Sequence, residues 1–273
     1  MKRAMRKILP ALTWLPAALG RRWRGPEVRI LMYHRITDQP AGRLCVRPSE
    51  FEKQMDLIRD VGYPVLDIAG LQRLDPNPPK TRLPAVVLTF DDGYRDFFDH
   101  AFPVLKARHF PAALFIVPAF TEGRVSLGHS PQEKSVGEAA RWEMLREIAS
   151  SGLTIGSHSL THRELTSIPP SEAEREIRES AETIQRKLGR RPEWFAYPRG
   201  KYNAEIEAMV KATGYVGALT VRPGASRPPE ARFSLPRTEI SGDDDLWDFR
   251  GKLQGAFDPW HRLWQWINKV RRR

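Results

Sequence analysis

Two short segments hold the residues best suited to chemistry. In Leu88-Thr89-Phe90-Asp91-Asp92-Gly93-Tyr94 an apolar run ends in two carboxylates and a glycine. In Gly156-Ser157-His158-Ser159-Leu160-Thr161-His162 a second short run ends in two histidines four residues apart. Adjacent carboxylates repel each other unless a cation or a proton lies between them. Histidines at that spacing share one face if the turn is helical, which suits a single ion. Each segment alone has a plainer reading: an Asp-Asp-Gly turn with Asp92 capping the next helix, or two surface histidines in a polar turn. Together, two His and one Asp form a common three-ligand set that leaves positions open for water and substrate.

Such a set works only if separate elements bring it together, and the chain between supplies them. Val28 to Tyr33, Ala85 to Phe90, Ala112 to Val117, Leu153 to Ile155, Trp194 to Tyr197 and Val216 to Thr220 read as strands. Amphipathic stretches alternate with them: one opened by the capping box Ser49-Glu50-Phe51-Glu52 and ended near Gly62, then Tyr94 to Arg108, Glu138 to Ser150, Ser171 to Leu188 and Ala204 to Thr213. Ser171 and Glu174 form a second capping box. Asp75 to Pro84 and Thr121 to Gly137 read as loops, and Phe233 to Leu235 as an extended segment. The alternation predicts a parallel sheet covered by helices and closed as a barrel. Active sites of such barrels lie at the C-terminal strand ends, where both motifs fall.

A length of 273 residues suits one domain of this kind, and no long linker divides it. The lone Cys45 excludes an internal disulfide and a cysteine-rich zinc site. The net charge of +11 would suit a nucleic-acid binder, but its placement argues otherwise. Lys2, Arg3, Arg6, Lys7, Arg21, Arg22 and Arg24 crowd the N-terminal segment; Arg262, Lys269, Arg271, Arg272 and Arg273 crowd the C-terminal one, and neither holds an acid. The body between is close to neutral. The apolar run Ile8 to Leu19 is short for a bilayer span and is broken by Pro10 and Pro16. Gly20-Arg21-Arg22-Trp23 is a poor signal-cleavage region. From Asp258 and Pro259 onward, Trp260, Leu263, Trp264, Ile267 and Val270 recur at helical spacing among cations. That pattern suits a helix on an anionic membrane surface, or one packed on the barrel with its charges outward. The expected layout is a basic apolar segment over 1–27, a barrel over 28–245 and a basic amphipathic region over 246–273.

The two motifs closely resemble the first two motifs of the polysaccharide deacetylases (carbohydrate esterase family 4, the NodB-type domain). Phe195-Ala196-Tyr197-Pro198-Arg199-Gly200-Lys201-Tyr202-Asn203 is a counterpart of the third, so the likeness spans roughly residues 28–240. The resemblance implies a distorted (β/α)7 barrel and a divalent ion, most often zinc, with cobalt or nickel as alternatives. Asp92, His158 and His162 would hold it and Asp91 would be the general base. Tyr197, Pro198 and Arg199 would form the substrate side, the Arg199 N–H serving the oxyanion. Ala196 and Arg199 depart from the Arg and Tyr common at those positions, and no histidine lies between His162 and His261 to supply the usual C-terminal general acid.

Leu31-Met32-Tyr33-His34-Arg35-Ile36 resembles the circularly permuted branch that includes poly-N-acetylglucosamine deacetylases. There an N-terminal Tyr-His motif supplies the acid, which would be His34; a buried structural histidine is the plainer reading. Leu235-Pro236-Arg237 resembles a late strand of that branch, with Arg237 either orienting Asp91 or lying on the surface. The expected activity is removal of N-acetyl groups from an amino sugar of an envelope or exopolysaccharide glycan, a lipid-linked saccharide included. A deformylase, an O-acetyl esterase and a degenerate carbohydrate-binding protein are the alternatives. An anionic membrane surface is an expected partner and nucleic acid is not, placing the protein peripherally on the inner membrane of a bacterial envelope.

Overall fold

The computed structural model describes residues 27–39, 42–73, 83–128, 137–226 and 232–258. The segment before Glu27, most of the Asp75 to Pro84 loop and the tail after Asp258 lie outside the described residues, as does any helix there.

Seven strands form the main sheet: β1 (Val28–Tyr33), β4 (Ala85–Phe90), β5 (Ala112–Ile116), β6 (Thr154–Ser157), β7 (Trp194–Ala196), β8 (Gly217–Leu219) and β9 (Thr238–Glu239). Their order is β8-β7-β6-β5-β4-β1-β9 and every neighbouring pair is parallel. Two short strands, β2 (Arg35–Ile36) and β3 (Cys45–Val46), pair separately. The sheet curls because the segment entering β9 touches both ends of the row. Leu235 bridges to Leu219 of β8, while Thr238 pairs with Leu31 of β1. The result is a distorted (β/α)7 barrel with all C-terminal strand ends at one mouth.

Alternation along the strands sorts the side chains into two layers. Val28, Ile30, Val87, Ala113, Phe115, Trp194, Ala196 and Leu219 form the interior. Leu31, Tyr33, Leu88, Phe90, Leu114 and Ile116 face outward and pack under helices α1 (Pro48–Val61), α2 (Phe102–Ala107) and α4 (Trp142–Ser150). The remaining helices are α3 (Pro118–Thr121), α5 (Pro170–Leu188), α6 (Ala204–Ala212) and α7 (Leu246–Leu253), the last burying Phe249 and Leu253 in the same outer core. No helix among the described residues is long and apolar enough to cross a membrane.

Several local expectations shift. Neither capping box forms: α1 and α5 begin one residue earlier, at Pro48 and Pro170, with no side-chain cap on Arg47 or Pro169. Proline at the first helical position needs no N–H partner and presets the helical φ, so the serines fall inside the first turn. The single helix expected over Tyr94 to Arg108 is a π turn, Phe97–Ala101, running into α2. Pro103 cannot donate to Asp99 and its ring crowds that carbonyl, so the ladder widens there. Helix α4 starts at Trp142, later than Glu138; in the segment read as extended over Phe233 to Leu235, Leu235 makes a single bridge, and the strand itself forms further on, at Thr238–Glu239.

Candidate active site

Strand β4 ends at Phe90 and delivers Asp91 and Asp92 to the mouth, each only 1–2% exposed. Asp91 N donates to Tyr33 O, so the ends of β1 and β4 stay in register at that point. The chain turns sharply beyond: Asp92 adopts φ 75° and Gly93 φ 79°. A Cβ on Gly93 would lie 3.0 Å from Ile116 Cγ2, so glycine lets the backbone pass tightly over β5.

Arg237, at the entrance to β9 and fully buried, grips Asp91 with both arms. Nη1 donates to Oδ1 at 2.7 Å and Nη2 to Oδ2 at 2.6 Å, while Nε donates to the Thr220 carbonyl at 2.9 Å. Of the two readings left open for Arg237, the buried one is observed. Burial by itself would raise the Asp91 pKa; the Arg237 and His158 charges, the two hydrogen bonds and the more remote His34 together hold it well below the usual carboxylate range.

Asp92, His158 and His162 bring one ligand atom each within 4.8 Å of one another. Asp92 Oδ1 stands 3.7 Å from His158 Nε2 and 3.5 Å from His162 Nε2. These gaps are long for hydrogen bonds, and Asp92 Oδ1 is buried with no hydrogen-bond partner. They are close to the ~3.3 Å separating two ligands of a tetrahedral zinc with ~2.0–2.1 Å bonds. An orphaned buried oxygen facing two imidazole nitrogens fits a cation. His158 Nδ1 lies 2.7 Å from the Ala196 carbonyl, which can only accept, so Nδ1 carries the proton and Nε2 presents its lone pair. Burial pushes the His158 pKa down to about 4, which keeps the ring neutral as a ligand must be.

The turn that carries the histidines is not helical. Ser159 and His162 both adopt φ 62°, and the two rings meet with centroids 4.8 Å apart. Such backbone is disfavoured for these residues and needs outside support. Ser159 Oγ accepts from His162 N at 3.0 Å. Glu176, 4% exposed on α5, accepts from Thr161 N at 2.8 Å and from Thr161 Oγ1 at 2.6 Å, while its carbonyl accepts from Leu160 N. Sequence reasoning missed Glu176. The available signal was a carboxylate between Ala173, Ile177 and Ser180 on the buried face of a helix.

His34 directly follows β1 at the same mouth, half-buried and close enough for its charge to act on Asp91. Arg199 is exposed in a left-handed turn, φ 57°, after β7, and Pro198 beside it is buried. The side chain of Tyr197 is not brought to the mouth. Alternation along β7 turns it outward, where it packs with Phe195, stacks on Tyr202 and donates to the Phe233 carbonyl.

A barrel with this constellation at its mouth matches a known family. The polysaccharide deacetylase family model matches residues 79–218. The chain is 31% identical over 215 residues to the polysaccharide deacetylase homologue YxkH of Bacillus subtilis, covering 79% of this chain and 72% of that one. It therefore belongs to the polysaccharide deacetylase family. It is also 26% identical over 262 residues to the poly-β-1,6-N-acetyl-D-glucosamine N-deacetylase of Escherichia coli, covering 82% of this chain and 38% of that enzyme's length. Among solved structures, the deacetylase PplD of Streptococcus pyogenes, in complex with acetate, superposes with a TM-score of 0.72 at 24% identity, over 84% of this chain and 99% of that one.

Proposed function

We propose that this protein is a metal-dependent N-deacetylase acting on N-acetylated amino sugars of a bacterial envelope or exopolysaccharide glycan. The observation that carries the reading is the cation-shaped set Asp92, His158 and His162 beside a carboxylate, Asp91, locked by Arg237. The likeness to an enzyme named for poly-β-1,6-N-acetyl-D-glucosamine supports an N-acetylglucosamine polymer as substrate.

The ion, most simply zinc, would be held by Asp92, His158 and His162; when bound it acidifies a water and polarises the acetamide carbonyl, so that even a weakly basic carboxylate can serve. Asp91 accepts the water proton, and Arg237 keeps it ionised and aimed. The backbone N–H of Arg199 stabilises the developing oxyanion. His34 protonates the departing amine, as in the permuted branch. Asp91 and His34 thus share the proton traffic from two neighbouring strand ends.

The basic, tryptophan-bearing ends support a peripheral location on the inner membrane, where nascent or lipid-linked glycan is within reach. The test is acetate release from acetylated glucosamine oligomers, with chelator and after adding back zinc, cobalt or nickel. Release that stops with chelator and returns with metal supports the reading. Hydrolysis confined to O-acetyl or formyl substrates favours the esterase or deformylase alternative. Full metal binding without hydrolysis favours a degenerate sugar-binding protein.

A further inference from the structure

We propose that the end of the barrel opposite the catalytic mouth is the face that meets an anionic bilayer, so the active site points away from the membrane. The inference rests on the peripheral location above and adds which face makes contact. Strand β1 runs from Val28 at the far end to Tyr33 at the mouth. The N-terminal basic segment therefore joins the barrel at the far end, through Glu27. The C-terminal basic segment leaves from the same place. Arg29, 2% exposed, donates from Nη1 and Nη2 to the two oxygens of Asp258 at 2.9 and 2.7 Å, and from Nη2 to Glu27 at 2.7 Å. One buried guanidinium thus ties together the roots of both segments, Arg29 and Asp258 lying 229 residues apart in the chain.

The folded surface at that end has matching chemistry. A cavity of about 520 Å³ opens among the starts of β6 and β7, the end of α5 and the approach to β4. Its floor is aliphatic, with Ile155, Ile184 and Leu188, and Arg146, Arg190 and Arg191 line it. Asp67 and Glu193 also line it, so three cations stand against two acids in the lining. Arg191 donates to neutral partners, Gln185 and the Thr213 carbonyl. Among the described residues no aromatic ring lines the cavity, whereas a sugar-stacking surface would require one. Aliphatic floor, arginines and two acid-free cationic segments rooted at the same end suit an anionic lipid surface. Two attachments from one root also act together through high effective concentration.

The consequence concerns substrate. Six residues of β1 span roughly 17–20 Å along the strand, and a barrel tilt of about 36° sets the mouth on the order of 15 Å above the lipid. A glycan chain projecting from the membrane, lipid-linked or free, reaches the mouth more readily than a single sugar held at the lipid surface.

The test uses the full chain with Cys45→Ser, labelled at Ser151→Cys in the turn before β6 or at Trp247→Cys at the start of α7. Energy transfer to an acceptor lipid is read on phosphatidylcholine vesicles with and without phosphatidylglycerol. Binding should require phosphatidylglycerol, with strong transfer from position 151 and weak transfer from 247. The combined Arg146→Gln, Arg190→Gln and Arg191→Gln variant should bind roughly a hundredfold more weakly. Neutralising Lys269, Arg271, Arg272 and Arg273 to Gln should weaken binding by a similar or larger factor. Stronger transfer from 247, or full binding by the triple-arginine variant, overturns the face while sparing the location. No binding to either vesicle overturns both. None of these readouts depends on deacetylase activity.

Discussion

Arg237 holds both oxygens of Asp91, at 2.7 and 2.6 Å, from a position 146 residues further along the chain. The pair is fully buried, so its energetics are those of an ion pair out of reach of water. Removing the guanidinium leaves a buried carboxylate unpaired, which costs about 3–5 kcal/mol. Arg237→Gln should therefore be destabilised at neutral pH. The pH dependence has a definite sign. In the intact protein the folded pKa of Asp91 lies below the unfolded value of about 3.9, so the stabilisation is present above that value and lost as pH falls through the folded one. In the variant, burial is opposed only by the His158 and His34 charges and the pKa rises, so the difference in stability between the two proteins should shrink on acidification. Denaturant unfolding of the metal-free proteins over a pH series measures this; a difference that stays constant with pH would contradict the assignment. Arg237→Lys should keep much of the stability yet lose the two-armed grip, with acetate release falling about a hundredfold from misplacement of Asp91.

Asp92→Asn and His158→Ala should abolish stoichiometric metal uptake, read by elemental analysis after gel filtration. Acetate release should drop to that of the chelator-treated protein. Asp91→Asn should keep its metal and still lose activity, because Asp91 is already engaged by Arg237. Loss of metal from Asp91→Asn would instead make both carboxylates ligands.

For His34, the expected loss depends on the leaving group. His34→Ala should lower kcat on an acetylated amino sugar by about 10²–10⁴, the usual contribution of a general acid. The same variant should lose far less on 4-nitrophenyl acetate, whose leaving group departs without a proton. Equal losses on both substrates would assign His34 a structural or binding role.

Glu176 acts on the candidate metal site through the backbone of Thr161, the residue before His162. Glu176→Gln preserves size but places an amide against donors that now meet a carboxylate. Metal affinity, measured by competition with a chromophoric chelator, should fall about tenfold to a hundredfold. Far-UV circular dichroism should be unchanged. Unaltered affinity would show that Ser159 alone holds the turn.

The barrel was legible because strand and helix periods are local properties of the chain. Ala85 to Phe90 is apolar on both faces, as a strand covered on both sides must be, and it appears within the expected bounds. The helix starts at Pro48 and Pro170 were misread because a serine-based box and a proline at the first position compete for the same turn. The π turn at Phe97–Ala101 depends on one proline acting on a carbonyl four residues back, which a face-by-face count does not register.

The residue types at the site were likewise fixed locally: Asp91 and Asp92 end one strand, and His158 and His162 lie in the turn after another. Their arrangement was not. A helical turn would have paired the histidines, but they meet through two left-handed residues held by Ser159 and Glu176. Arg237 had two readings until barrel closure carried it inward, and Tyr197 was offered to the substrate side until strand alternation turned it away. The sequence by itself determined which groups and which fold are available, because type and period are written residue by residue. The tertiary structure decided which carboxylate is gripped by arginine and which is left to face two imidazoles, because burial and the approach of distant strands exist only once the barrel has closed.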